Sequence, residues 1–585
     1  MTFVCVPITV HDLAQALADA QESRARGADL VEYRIDEFFD DAAFMNDASA
    51  ARPILQLVRE SPLPCIITCR PTYEGGAYDG DDMPRVSLYE LLGTADHPPR
   101  YIDVELAAYT RSANLRQKVN LAVDHPEQRR DVRTGLVLSM HDFDRPPADL
   151  SRRVLAMCAE PAASVHKIAF RCRSLRDNLA LFGVLRHKDR PTIALGMGEF
   201  GMMSRVLAPK FGAFLTFASL RPASATAPGQ PTIAELIETY RFRSITPRTR
   251  VFGVVGWPVT HSMSPLVHNA GFDAVGFDGV YLPLPIAADA SDPEGSYASF
   301  KATILALMDE PGLDFAGCSV TLPHKENLVR LAREQGWSLD DISDACNAAN
   351  TLTIDPASGM PRVSNTDARA AIEEIARGLS LSRGVDPAHA IPESQRTALR
   401  DARVAVLGAG GVARAIVFAL AAAGAKVEIY NRSLDRARAL ADEAREYANR
   451  IPSAPANAIA IVSAHTLEDA TRSEAEVFVN ATPIGMSGGP APDAAPIDLA
   501  ALDRAALAQT RRSAALPAVF DTVYNPIETP LLRDARALGM PALDGLGMFV
   551  GQAAAQFEAW TATPAPRGLF DRLVRETLSS RANRS

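Results

Sequence analysis

Six polar residues stand beside short apolar runs in the first part of the chain. Lys167 lies within Val165-His166-Lys167-Ile168, and His141 directly follows Gly135–Met140. Glu32 and Arg34 end the run Leu30–Arg34, Arg70 follows Cys65–Cys69, and Arg205 follows Thr192–Gly196. A lysine inside a strand buried on both faces breaks an otherwise apolar pattern. Burial and nearby arginines would both favour its neutral amine. That amine is the nucleophile of Schiff-base chemistry, and His141 would move the protons. Alone, each residue reads as an outward lysine or a loop histidine; placed together at strand ends, they read as one site.

The second part carries a different kit. Gly408, Gly410 and Ala413 fit G-x-G-x-x-A between the strand-like Asp401–Leu407 and a helical stretch Val412–Ala423, with a second strand at Lys426–Tyr430. This context places a pyrophosphate at a helix N-terminus. Where an acidic residue would favour NAD, the second strand ends in Asn431-Arg432-Ser433, which suits the 2′-phosphate of NADP. Before it come Ser262 and Ser264, Thr321 to Lys325, Asn350 and Asp367. A lysine, a carboxylate, an amide and hydroxyls form a kit for a polyhydroxy acid, although each alone reads as a cap or turn.

Positioning these groups takes several domains. Apolar β-branched runs begin at Phe3, Leu30, Cys65, Tyr101, Gly135, Val165, Thr192 and Ala213, with amphipathic stretches such as Asp12–Arg26 between them. Eight such units in roughly 250 residues fit a (β/α)8 barrel, whose chemistry collects at the C-terminal strand ends. The polar stretch Arg241–Arg250 contains Pro247 and reads as a linker.

Composition narrows the partners. The 585 residues carry a net charge of -10, which argues against nucleic acid as a bulk partner. Seven scattered cysteines without a CxxC pair read as reduced thiols, and the apolar start Met1–Val10 lacks the order of a signal or transit peptide. The expectation is a cytoplasmic protein without a membrane span or a metal-ligand cluster.

The front motifs resemble type I 3-dehydroquinate dehydratase. They are Val31-Glu32-Tyr33-Arg34-Ile35-Asp36, Thr68-Cys69-Arg70 with Glu74-Gly75-Gly76, Ser139-Met140-His141-Asp142-Phe143, His166-Lys167-Ile168-Ala169, Ser204-Arg205-Val206-Leu207 and Ala227-Pro228-Gly229-Gln230. The resemblance implies an imine on Lys167, His141 as general acid/base assisted by Glu74, and Arg205 on the substrate carboxylate. It implies that Glu32, Arg34, Arg70, Thr226 and Gln230 position hydroxyls and loops. Thr226 stands where the family more often has serine.

The back motifs resemble shikimate dehydrogenase. Besides those already named, they are Ser262-Met263-Ser264-Pro265, Thr321-Leu322-Pro323-His324-Lys325-Glu326, Asn350-Thr351-Leu352, Asn365-Thr366-Asp367, Asn480-Ala481-Thr482-Pro483, Tyr524-Asn525-Pro526 and Asp544-Gly545-Leu546-Gly547-Met548 leading to Gln552. The resemblance implies Lys325 and Asp367 as catalytic pair. Ser262, Ser264 and Tyr524 would face the carboxylate, and Thr321, Asn350 and Gln552 the ring hydroxyls. Gly408, Ala409, Gly410, Gly411, Asn431, Arg432, Ser433, Thr482 and Met548 would hold NADP(H). The departures are Cys346-Asn347-Ala348-Ala349 before Asn350, Ala368 after Asp367, and an inserted loop over Gly384–Leu399.

The domains implied are a barrel over 1–243, an α/β substrate domain over 250–367 with a C-terminal helix at 547–575, and a Rossmann-type domain over 368–546. Together they imply a bifunctional enzyme that dehydrates 3-dehydroquinate and then reduces 3-dehydroshikimate with NADPH. A quinate dehydrogenase in the back half, or a metabolite sensor without catalysis, are the alternatives. Arg432→Ala should raise the Michaelis constant for NADPH and leave that for NADH nearly unchanged, a charge-assisted contact being worth about 1–3 kcal/mol. Equal losses with both cofactors would mean that Arg432 supports the fold instead.

Overall fold

The computed structural model describes residues 1–38, 48–126, 132–385, 399–450, 462–502 and 516–582. The chain divides into two compact units, Met1–Pro265 with Asp278–Phe315, and Leu266–Phe277 with Ala316–Ser585.

In the first unit eight parallel strands form one sheet: β1 (Phe3–Thr9), β2 (Leu30–Arg34), β3 (Cys65–Thr68), β4 (Tyr101–Glu105), β5 (Gly135–Asp142), β6 (Ala163–Arg171), β7 (Thr192–Met197) and β8 (Leu215–Phe217). They run in order from β1 to β7, and β8 returns to pair with β1. The Phe214 amide donates to Thr192 O at 2.8 Å, which ties the entry of β8 to the start of β7 and closes the barrel. One face of the strands fills the interior with Cys5, Leu30, Ile66, Val137, Ile193 and Leu215. The other face packs on helices such as Leu13–Ala25 and Asp177–Arg186. Both faces are covered, which is why the strands read as continuous apolar runs.

Strand β2 has the bounds read from the sequence, and the other barrel strands differ from that reading by one or two residues. The shift matters at β5, which extends through His141, so that this residue belongs to the strand. Glu32 sits in the middle of β2. After the barrel, buried Lys210 donates to Pro247 O (3.0 Å), Thr249 O (2.7 Å) and Asp314 Oδ2 (2.7 Å). The expected linker is thus tied down at its end by a buried cation. Strands β9 (Arg250–Gly256) and β10 (Gly279–Pro285) then pair in parallel.

The second unit holds β11 (Phe315–Val320), β12 (Ser338–Leu339), β13 (Thr351–Ile354) and β14 (Pro361–Ser364), with β13 antiparallel to both β11 and β14. A parallel sheet follows: β15 (Arg403–Leu407), β16 (Lys426–Asn431), β17 (Val462–Thr466), β18 (Val477–Asn480), β19 (Ala518–Asp521) and β20 (Ala542–Leu543). Its order is β17-β16-β15-β18-β19-β20, so the chain reverses direction across the sheet between β15 and β18. A nucleotide binds at that switch point in such sheets. Along β15, Val404 and Val406 face one apolar cluster, and Ala405 and Leu407 face another, so this sheet is also covered on both sides.

All seven cysteines are free thiols. Among the described residues no helix is long and apolar enough to cross a membrane. Most of the expected inserted loop, 386–398, lies outside the described residues.

Candidate functional site

At the centre of β6, Lys167 is 5% exposed. Its Nζ donates to Asp103 Oδ2 at 2.9 Å and to Glu32 Oε1 at 3.1 Å, and lies 4.6 Å from the Phe217 ring centre. The arginine neighbours expected from sequence are therefore corrected to two carboxylates. The reason is electrostatic: a buried cation beside further cations and no anion would be prohibitively costly.

The arginines serve those carboxylates. Arg70 meets Asp103 Oδ1 at 2.9 Å and Glu105 Oε1 at 2.6 Å, and donates to Ser139 Oγ at 2.9 Å. Arg85, fully buried, meets Glu105 Oε2 at 2.7 Å. Burial pushes the Asp103 carboxyl up, but Arg70 and Lys167 outweigh burial and hold it well below the usual carboxylate range. Arg34 makes a two-pronged contact with Asp36 at 2.9 and 2.8 Å.

His141 reaches the same cavity from β5. Its Nδ1 lies 3.0 Å from Glu74 Oε2, and its backbone N–H donates to that oxygen at 3.1 Å. Glu74 ends a short turn whose two glycines permit close packing. A Cβ on Gly76 would come within 2.0 Å of Arg70 O, and one on Gly75 (φ +78°) within 2.2 Å of the Phe143 ring. Burial pushes the Glu74 carboxyl up to about 8. Burial, then Arg70 and Lys167, push the His141 imidazole well below its usual range. Both groups are therefore pushed toward their neutral forms. Glu74 Oε2 already accepts the His141 backbone N–H, and Nδ1–H donating to the same oxygen leaves Nε2 without a proton and able to act as a base.

Arg205, in the short helix Met202–Val206, donates from Nε to Gly196 O at 3.0 Å. Among the described residues its buried Nη2 has no partner, and desolvation lowers its value to about 10. Gln230 accepts from the Thr226 amide at 3.0 Å and the Thr226 hydroxyl at 3.3 Å, and its buried Nε2 also has no partner among the described residues. Two orphaned donors in one cavity wall fit an incoming anion. The cavity is lined by Lys167, His141, Glu74, Arg205, Gln230 and Glu32, among others. Larger depressions at the opposite strand ends, around Tyr101 and Phe214, contain none of these residues.

In the second unit, Lys325 begins the helix Lys325–Gln335 and Asp367 lies in the first turn of the helix Thr366–Ser382. Lys325 Nζ donates to Asp367 Oδ2 at 2.6 Å. Two ties set this distance. The Ala349 amide donates to Lys325 O at 3.1 Å, and Asn350 Oδ1 accepts from Thr366 N at 2.8 Å. Asn350 is thus partly occupied inside the protein, since Thr351 Oγ1 also donates to it at 2.8 Å. Thr321 follows β11, and its carbonyl accepts from the His324 amide at 3.0 Å. Gln552 is half-buried on the helix Gly545–Thr561. Another residue of that helix, Gln556, donates to Thr351 Oγ1 at 3.2 Å. Tyr524 packs its ring 4.9 Å from Phe549. Ser262 and Ser264 belong to the first unit, where Ser262 Oγ accepts from the Ser264 amide at 3.2 Å.

The glycine loop lies at the C-terminal end of β15. Gly408 has φ +115°, a conformation open to glycine. Among the described residues a Cβ on Gly410 or Gly411 would meet no neighbouring atom within 4 Å, so the N-terminus of the helix Gly411–Ala422 opens on a space that phosphates fit. Ala409 is half-buried beside it. Asn431 ends β16 and donates from Nδ2 to Ser433 O at 2.9 Å; Arg432 and Ser433 are exposed. Thr482 donates to Asn480 Oδ1 at 2.7 Å, and Met548 is buried against the helix and sheet core.

Comparison with known proteins gives these two sites a family. Four family models match in order: type I 3-dehydroquinase over 4–247, the shikimate dehydrogenase substrate binding domain over 254–352, shikimate / quinate 5-dehydrogenase over 391–482, and the shikimate 5'-dehydrogenase C-terminal domain over 545–575. A chloroplastic bifunctional 3-dehydroquinate dehydratase/shikimate dehydrogenase of Arabidopsis thaliana is 34% identical over 574 residues, 97% of this chain and 83% of that one. The chain belongs to this bifunctional family. The shikimate dehydrogenase (NADP(+)) of Geobacter sp. (strain M21) is 34% identical over 58% of the chain and 99% of its own length. A solved shikimate 5-dehydrogenase from Thermus thermophilus, in complex with NADP(H) and shikimate, is 26% identical over 56% of the chain and 99% of its own, with a TM-score of 0.41.

Sequence reasoning missed Asp103, Glu105, Arg85 and Ser139 on the dehydratase side. The signal was available in Tyr101-Ile102-Asp103-Val104-Glu105, where two acids at alternate positions of a buried strand must share one face. It also missed the group Cys158, His166 and Asp189 on the outside of the barrel wall, whose ligand-type atoms lie within 4.8 Å of one another.

The Glu74 proton gives a pH test. The folded site keeps a proton that an unfolded chain releases in the ordinary glutamate range. The stability from Glu74 is therefore full below that range and is lost as pH rises through about 8. Wild type should lose on the order of 2 kcal/mol relative to Glu74→Gln between pH 5 and 9 in urea titrations. The dehydratase pH profile should flatten on its basic side in the variant, whose amide oxygen can accept from Nδ1 at every pH. Parallel stability curves would contradict the assignment.

Proposed function

We propose that Lys167 forms an imine with 3-dehydroquinate, that dehydration follows at this site, and that the 3-dehydroshikimate so formed is reduced to shikimate at Lys325 with NADPH. The observation that carries this reading is a buried lysine between two carboxylates, facing an arginine whose buried Nη2 is unpaired among the described residues.

Arg205, helped by Gln230 Nε2, holds the substrate carboxylate and so aims the ketone at Nζ. Lys167 must first give up a proton. Asp103 stays ionised on Arg70, so Glu32, at 3.1 Å, is the acceptor we assign. Imine formation converts the ketone into an electron sink, which eases removal of a proton from the adjacent carbon. The neutral His141 takes that proton on Nε2 and returns it to the departing hydroxyl, which leaves as water, with Glu74 fixing its tautomer; water then hydrolyses the product imine and frees Lys167. Arg34 and Arg70 hold the acidic residues around the substrate hydroxyls, and Thr226 and Gln230 belong to the loop over the site.

At the second site NADPH, when bound, supplies the hydride. The glycine loop, Asn431, Arg432, Ser433, Thr482 and Met548 would hold it. Lys325 delivers a proton to the ketone oxygen, and Asp367 keeps its Nζ aimed. Ser262, Ser264 and Tyr524 take the substrate carboxylate; Thr321, Asn350 and Gln552 take ring hydroxyls. We assign the barrel to 1–243, the substrate domain to 250–367 with the helix at 547–575, and the nucleotide domain to 368–546. Free thiols fit a reducing, cytoplasmic setting. Both catalytic sets lie within bonding distance of their partners, which favours an enzyme over a sensor without catalysis.

Borohydride added with 3-dehydroquinate should fix mass on the peptide holding Lys167. Labelling that persists in Lys167→Ala would refute the imine. Lys325 and Asp367 share one task, worth about 10²–10⁴ in rate, so their losses should not add. Lys325→Ala, Asp367→Ala and the double variant should fall to similar turnover with NADPH binding and dehydratase activity retained. A double variant that shows the product of the single losses would break the pairing.

A further inference from the structure

Asp521 ends β19, beside Asn480 at the end of β18 in the sheet register, and it is fully buried. Its two oxygens take donors from three places in the chain. Oδ1 accepts from Asn480 Nδ2 at 2.9 Å and from the Val523 amide at 3.0 Å. Oδ2 accepts from Thr529 Oγ1 at 2.7 Å, the residue that caps the helix Pro530–Ala537. Asn480 passes the contact on, since its Oδ1 accepts from the Thr482 amide at 3.0 Å and the Thr482 hydroxyl at 2.7 Å. The turn so held is packed against the glycine loop. The Ala481 amide donates to Leu407 O at 2.9 Å, and a Cβ on Gly408 would come within 3.0 Å of both Ala481 O and Thr482 Cγ2.

A carboxylate is a costly choice for this place. Among the described residues no cation pairs with Asp521, and burial pushes its carboxyl up to about 6. Stability alone would be served more cheaply by a neutral or apolar side chain. What a carboxylate adds is acceptor capacity on both oxygens, enough for three donors at once.

We infer that Asp521 is a positioning residue for the nicotinamide nucleotide: through Asn480 it fixes the 480–482 turn against the glycine loop, and so sets cofactor affinity without touching the cofactor. This rests on the reading above that the glycine loop and Thr482 hold NADP(H).

The test measures NADPH affinity in the full chain by fluorescence titration, with steady-state rates beside it. Asp521→Ala should weaken NADPH binding about tenfold, the size of one lost buried hydrogen bond. Turnover at saturating NADPH should stay within about threefold, and dehydratase activity, an internal check on folding, should be unchanged. Asp521→Asn should restore affinity, because its Oδ1 keeps Asn480 and Val523 while its amide can donate to the Thr529 hydroxyl. Asn480→Ala cuts the same link and leaves Asp521 two donors; it decides the matter if Asp521→Ala does not fold. The double variant should bind no more weakly than the weaker single one. Wild-type affinity in folded Asp521→Ala or in Asn480→Ala, or no rescue by asparagine, would overturn the inference. Arg432→Ala serves as the control: if it weakens NADPH binding and the Asp521 and Asn480 variants do not, only the inference fails. If none of the three weakens it, the cofactor reading fails with it.

Discussion

Lys167 Nζ shares Asp103 with Arg70: one oxygen lies 2.9 Å from the amine and the other 2.9 Å from the guanidinium. Much of the first site follows from that shared carboxylate. Lys167, Arg70 and Arg85 are all buried, and each must find an anion where it lies. Asp103 and Glu105 come from alternate positions of β4, so one strand supplies both on the same face. Arg85 then anchors Glu105 from the helix Asp82–Gly93. Removing one member would leave its partners buried and unpaired, so the set behaves as a unit. The reactive amine is thereby fixed at a point toward which His141 and Arg205 also project.

The nucleotide side works by a different economy. Its anion site is made of backbone, with open space over Gly410 and Gly411 at a helix N-terminus. Few side chains are needed to bind phosphates there, but the turns beside it must be held from below. The chain Thr482, Asn480, Asp521, Thr529, buried from Asn480 onward, does that. The catalytic pair is fixed similarly: Asn350 accepts from the start of the Asp367 helix, and Ala349 donates to the start of the Lys325 helix. In both halves a reactive cation takes its direction from an acid on another element.

The elements were legible because their patterns are local. Eight apolar runs of barrel spacing, and a glycine loop between two strands, need no tertiary knowledge to read. Lys167, His141 and Lys325 stood out because they interrupt apolar context or sit in short motifs. What could not be read was how charge balances at a distance. Arg70 and Arg205 look alike in sequence, yet Arg70 meets Asp103 and Glu105, whereas among the described residues nothing pairs with the buried Nη2 of Arg205. The neighbours of Lys167 come from strands up to 135 positions away, so arginines were expected where Glu32 and Asp103 stand. Asn350 carries a similar lesson: its oxygen serves Thr351 and Thr366, a structural duty that its motif does not announce. The resemblance to two families supplied roles for residues that spacing alone left as caps and turns.

The central claim is that one chain holds two separable sites acting in succession on one carbon skeleton. It is tested most directly by following NADPH absorbance with the purified chain, given 3-dehydroquinate in one cuvette and 3-dehydroshikimate in another. Wild type should consume NADPH with both. Lys167→Ala should be silent with 3-dehydroquinate and near wild type with 3-dehydroshikimate. NADPH consumption by Lys167→Ala from 3-dehydroquinate, or no consumption by wild type from either compound, would contradict the account.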